Sequence, residues 1–267
     1  EHLLLDHRAQ LLAVGAAGSA VFGYFNLQRA RSAESAAVAS GKQALEAKAQ
    51  AETAQASAES ARGQAEELLG FVLNDLQEQL TAFGQTRILL ELNEQAVTYY
   101  EKLGSAAQTP ATRAGYARAL ASLGDSLGSQ GDLKSGSYNL EKALQIYEAL
   151  ARSGPLPVAV QIDYATTFTS LSRNRSNTTS FQEAEKFAAR AVEMLKPLAD
   201  HPALGGVALR RLAEAHERRS FSLLRFGRYA DSVAGYTAAL AAANASDNRL
   251  PSPRRPGLRA ASILPWL

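Results

Sequence analysis

Apolar residues follow three regimes along the chain. From Ala9 to Leu27 they run almost unbroken, interrupted only by Gln10, Ser19 and Asn26 and flanked by Asp6, His7, Arg8 on one side and Arg29, Arg31 on the other. At about 1.5 Å per residue such a run would extend roughly 28 Å, which predicts one membrane-spanning helix over residues 9–27 behind a juxtamembrane stretch, residues 1–8. A signal-peptide core would be shorter, and a buried helix of a soluble protein seldom stays uncharged for so long. Gly15, Ser19 and Gly23 stand four apart and share a face, the small-residue pattern through which membrane helices pack closely. Arg29, Arg31 and Lys42 after the run outnumber Arg8 before it, and positive charge favours the cytoplasmic side.

From residue 28 to 66 alanine, glutamate, glutamine, serine and lysine dominate, which predicts a long helix. In a seven-residue register Ala30, Ala37, Ala44, Ala51, Ala58 and Ala65 fall at one seam position, and Ala33, Ser40, Ala47, Ala54, Ala61 and Leu68 at the other. An alanine seam buries about one methyl where leucine would bury several carbons at ~0.8 kcal/mol each, so the pairing force is small. The segment reads either as a coiled-coil-like stalk that would join the membrane helix in a homodimer, or as a single solvated spacer about 57 Å long.

Beyond residue 66 the spacing changes to three and four. Leu69, Val72, Leu73, Leu76, Leu80 and Phe83 form one amphipathic stripe, and Ile88, Leu89, Leu92, Ala96, Tyr99, Tyr100 and Leu103 a second. A repeat then emerges. Gly131-Asp132-Leu133 with Gly136 and Ala143 realigns, at a constant step of 48, on Thr179-Ser180-Phe181 with Ala184 and Ala191, and on Gly227-Arg228-Tyr229 with Ser232 and Ala239. The same step relates Leu123 to Leu171 and Leu140 to Ala188 and Tyr236, and a fourth, offset copy lies at Gln95–Leu103.

Leu123-Gly124, Gly131, Gly136 and Ala143-Leu144 resemble the tetratricopeptide repeat, in which small residues let two antiparallel helices cross closely. Ser172 and Ser220 stand where the first helix would carry its glycine, Arg219 replaces a leucine, and the step of 48 exceeds the usual period of about 34. The resemblance implies an all-α chain whose residues 67–244 form antiparallel helical hairpins stacked as a superhelix. Such a superhelix would grip a protein or peptide ligand on the concave face of its first helices. In that register the groove-facing residues are Arg118, Asp125, Thr169, Arg173, Asn177, Glu217, Phe221 and Arg225. The order of membrane helix, alanine-rich helix and widely spaced repeats also resembles the C-terminal half of bacterial membrane-anchored signalling proteins. That likeness implies a single-pass inner-membrane protein with the repeats in the periplasm, against the charge asymmetry. It also implies, as the alternative to a tethered adaptor or scaffold, a sensor or assembly module for a kinase, cyclase or caspase-like domain upstream of residue 1. A chain beginning at Glu1 rather than methionine suits a processed product or a fragment.

Composition narrows the chemistry. The 267 residues contain no cysteine, which removes disulfides, thiolate metal sites and cysteine nucleophiles. The four histidines, His2, His7, His201 and His216, are not spaced as metal ligands, and a formal charge of +2 is too mild to suggest nucleic acid. Ser40-Gly41-Lys42-Gln43 lacks the upstream glycine and the hydroxyl residue of a phosphate loop, and no hydrolase elbow or kinase signature occurs. The expectation is a non-enzymatic chain without cofactor or metal. All nine prolines lie at or beyond Pro110, and Pro251, Pro253, Pro256 and Pro265 beside Arg254 and Arg255 predict a disordered tail over residues 245–267.

Overall fold

The computed structural model describes residues 2–71, 86–103 and 109–250, with the side chains of residues 2–21 and 71 outside that description. Among the described residues there are eight α-helices and no strand: α1 (His2–Phe71), α2 (Thr86–Lys102), α3 (Pro110–Ser129), α4 (Leu133–Ser153), α5 (Val158–Asn177), α6 (Phe181–Leu195), α7 (Gly205–Arg225) and α8 (Tyr229–Arg249). The chain divides into two compact units, residues 1–65 and 66–267.

The first unit is helix throughout its described length. Every described side chain from Phe22 to Ser60 is exposed, so burial does not hold this helix; strong helix formers do, helped by pairs one turn apart. Lys42 lies 3.9 Å from Glu46, Lys48 3.8 Å from Glu52, and Gln55 donates to Glu59 at 3.0 Å. Gly41 and Gly63 have open space where a side chain would be, and the helix runs through both.

The membrane span expected at residues 9–27 is not supported: among the described residues no helix is long and apolar enough to cross a membrane. The single-pass, inner-membrane placement falls with it. The run is uncharged but only modestly apolar, since eight of its nineteen residues are alanine or glycine and Gln10, Ser19 and Asn26 interrupt it. A stretch without charge is not thereby a stretch that gains enough from lipid. The packing role of Gly15, Ser19 and Gly23 was tied to that span. The surroundings of Gly15 and Ser19 lie outside the described side chains, and Gly23 has nothing within 4 Å of a Cβ placed there.

In the second unit the expected step of 48 is visible in the backbone. Gly131, Thr179 and Gly227 all hold positive φ, at 96°, 63° and 75°. Each closes the preceding helix in the same way. The N–H groups of Asp132, Ser180 and Arg228 donate to the carbonyls of Leu127, Arg175 and Leu223 at 3.0 Å, the six-to-one bond of a Schellman ending. The chain then turns directly into α4, α6 and α8. Hairpins α3–α4, α5–α6 and α7–α8 follow, and α3 packs on α5 and α5 on α7, so the first helices of the hairpins form one layer.

Small residues set the closeness within each hairpin. A Cβ on Gly124 would stand 2.8 Å from the Gly136 carbonyl, and one on Gly136 would stand 2.8 Å from the Gly124 carbonyl. One step on, Ser172 and Ala184 are fully buried; two steps on, the buried Ser232 hydroxyl donates to the Ser220 carbonyl at 2.9 Å. Ser220 and Ser232 fill the glycine place with hydroxyls that donate to a carbonyl along or across the helix, whereas the buried Ser172 hydroxyl has no partner among the described residues and fits by size alone. Larger side chains fill the space between hairpins. Leu140, Leu171, Leu195 and Tyr147 are essentially inaccessible, and Tyr147 stacks on Tyr164 at 5.4 Å. The long step has a plain origin: five of these six helices run 20 or 21 residues. The loop Gly154–Pro157 and the turn Lys196–Leu198 add further residues.

The first apolar stripe expected after residue 66 lies largely outside the described residues, at 72–85. At the other end α8 continues to Arg249, so the first five residues of the expected tail, 245–249, are helical; Leu250 leaves the helix in extended conformation, and residues 251–267 lie outside the described residues.

Candidate functional site: the layer of first helices and an adjoining cleft

Helices α3, α5 and α7 carry all eight residues expected on the binding face, and three of those are engaged in holding the layer together. Arg118 on α3 donates through Nε to Asp163 of α5 at 2.8 Å. Asp125, two turns further along α3, accepts two bonds from Nη1 of Arg173 on α5, at 2.8 and 3.0 Å. Asp125 and Arg173 occupy the same place in successive hairpins, so their pairing bolts one repeat to the next.

The charges continue onto α7. Burial pushes the Asp163 carboxyl above the usual aspartate range, against the pull of Arg118 and Arg211. Asp125 holds the Arg173 guanidinium above its ordinary value in spite of burial, with Glu214 and Glu217 of α7 adding to the effect. Two rows of alternating sign therefore cross the layer: Arg118, Asp163, Arg211 in one and Asp125, Arg173, Glu214 and Glu217 in the other. Neighbours of opposite charge favour this stacking order over a slipped one.

Of the remaining expected residues, Thr169 is buried, its hydroxyl donating to the Ala165 carbonyl at 3.4 Å. Glu217 accepts a bond from Arg218 at 3.1 Å. Asn177 is exposed, Arg225 is exposed with its guanidinium 5.0 Å above the Phe181 ring, and Phe221 meets the same ring edge-on at 6.2 Å. The accessible part of the expected face is thus Asn177 and Arg225 with the half-buried Glu217 and Phe221, joined by Phe181, which the one-dimensional pattern does not single out. Asp163 and the buried Asn174 were also missed. Asn174 donates to the Leu133 carbonyl at 3.2 Å and accepts from the Ser137 hydroxyl at 2.8 Å. A search for acids near one repeat step from Arg118 would have found Asp163; nothing in the one-dimensional pattern marks Asn174.

At the N-terminal end of the same layer a cleft of about 570 Å³ opens. Its walls are Ala114 of α3, Leu150 of α4, Val160 of α5 and the loop residues Pro155, Leu156 and Pro157. Tyr100 of α2, Arg118 and Glu66 supply the polar groups. Thr112 donates to Glu66 at 2.9 Å. Gly115 leaves room for the Tyr100 hydroxyl, which a Cβ at that position would strike. Burial, reinforced by Glu66 and opposed by Arg118, raises the Tyr100 pKa to about 12, so the hydroxyl stays a donor at any physiological pH.

The described residues gather no group of three or more histidine, aspartate or glutamate side chains able to hold a metal ion. The geometry therefore defines a packed all-helical domain with a layered, charge-laddered face and one amphipathic cleft. No protein-family model matches the chain, and no characterised protein matches it in sequence.

Proposed function

We propose that residues 66–250 are a protein-interaction module of the tetratricopeptide type that takes a polypeptide across the layer formed by α3, α5 and α7. The observation that carries this reading is the repetition itself. Three hairpins share one step, one left-handed closing residue and one buried small-residue crossing, so their first helices lie side by side as an extended surface. The surface offers contact chemistry rather than reaction chemistry. The charges of Arg118, Asp125 and Arg173 are paired within the layer, whereas Phe221, Arg225 and Asn177 project an aromatic edge, a cation and an amide that suit a peptide bearing acidic and apolar residues.

Selection from a random peptide library displayed on phage tests it. Enriched peptides should be acidic and apolar, and should lose at least tenfold in affinity to F221A or R225E while both variants keep the wild-type melting curve. A library that yields no saturable binder, or binders indifferent to both substitutions, overturns the reading.

A further inference from the structure

The cleft at the N-terminal end of α3 has a different character from the layer beside it, and its free groups specify what it accepts. Two donors face it without a partner. The Tyr100 hydroxyl makes no hydrogen bond among the described residues, although the side chain is only 5% exposed. Arg118 uses Nε and Nη2 on Asp163 and leaves Nη1 with no hydrogen bond among the described residues. A hydroxyl on the cleft wall without a protein acceptor has a donor that a bound carbonyl can take.

Charge decides which acceptor fits. Asp163 already neutralises Arg118, and Glu66 adds a negative charge to the same wall. An incoming carboxylate would meet that field, whereas a neutral carbonyl would not. Prolines 155 and 157, with Leu150, Leu156, Ala114 and Val160, give a rigid apolar wall on which a branched side chain can lose its water. The prolines fix the loop backbone beforehand, which lowers the ordering cost of binding.

We propose that this cleft binds a short uncharged peptide segment with apolar side chains, one backbone carbonyl accepting from Tyr100 and Arg118. The site shares no residue with Phe221 and Arg225, so it stands or falls separately from the peptide surface of the layer.

The probe is acetyl-leucyl-leucine amide, titrated into the whole chain and followed by amide chemical shifts. The wild type should show saturable shifts at Leu156 and Val160. Tyr100→Phe keeps the ring and removes the donor, and should weaken binding about three- to tenfold, the worth of one neutral hydrogen bond. Ala111→Trp, at an exposed position on the cleft rim, should abolish the shifts while leaving the melting curve unchanged. Acetyl-leucyl-leucine with a free carboxylate should bind more weakly than the amide. Absence of saturation, equal binding to both variants, or tighter binding of the carboxylate form overturns the proposal. So does octanol binding as well as the capped peptide, because it would make the carbonyl irrelevant.

Discussion

Thr179 is the one place where a repeat element departs from its own conformational requirement. Its counterparts Gly131 and Gly227 hold φ of 96° and 75°, and it holds 63° with a branched Cβ. A left-handed residue that is not glycine costs roughly 1–2 kcal/mol, and a β-branched one lies at the upper end. Thr179 is exposed and its hydroxyl makes no hydrogen bond among the described residues, so nothing is lost by removing the side chain. Glycine gives back about 0.5–1 kcal/mol through greater freedom of the unfolded chain. Thr179→Gly should therefore stabilise the domain by about 0.5–1 kcal/mol. For a unit of this size that corresponds to roughly 1–4 °C in Tm. Thermal unfolding followed by circular dichroism, with Thr179→Asn as an intermediate case and Thr179→Ala gaining least, checks both sign and order. The converse change, Gly131→Thr, meets no neighbour within 4 Å and should cost about 0.5–1 kcal/mol, the backbone strain less the freedom glycine loses on folding. A lowered Tm in Thr179→Gly together with a neutral Gly131→Thr would refute the reasoning, since neither result is compatible with a left-handed closing residue at this step.

Other expectations concern packing and charge. Gly124→Ala should destabilise by about 1–3 kcal/mol, because its Cβ would stand 2.8 Å from the Gly136 carbonyl and a backbone atom cannot be moved cheaply; Gly154→Ala, with open space around it, should lie within about 0.5 kcal/mol of wild type in chemical denaturation. Removing either Asp125 or Arg173 should cost about 1–2 kcal/mol, less than for a fully buried pair because both side chains keep some solvent contact. A double-mutant cycle should return a favourable coupling, and a coupling of zero would remove the pair from the forces that hold α3 to α5. His216 has its pKa lowered by burial, then by Arg219 and Lys196. Its folded value lies below the unfolded one, so its contribution is present above pH ~6.5 and is lost as pH falls through the folded value. The slope of stability between pH 7 and 5 should flatten in His216→Gln, and an unchanged slope would dismiss this origin.

Much of the second unit could be read in one dimension because its geometry is local. A left-handed closing residue, a glycine or serine at a helix crossing and an apolar stripe at three and four each act within a turn or two, and each leaves its mark at a fixed step. The alanine-rich helix was equally legible, since propensity alone accounts for it. Residues 9–27 mimic a span in one dimension because they lack charge, while their alanines and glycines contribute only modest apolarity. The ion pairs within the expected binding face were not legible for another reason. A helical wheel tells which residues share a face, and it does not tell that the same face on α3 meets α5.

The sequence by itself thus determined the helices, their turns and their repeat, through steric and conformational preferences that operate between near neighbours. Tertiary structure alone decided the chemistry of the surface. Arg118 with Asp163 and Asp125 with Arg173 became interhelical pairs because adjacent repeats brought opposite charges to within 3 Å. Tyr100, Arg118 and the Pro155–Pro157 loop became one cleft because the ends of α2, α3, α4 and α5 converge, and convergence of chain ends has no period for a sequence to display.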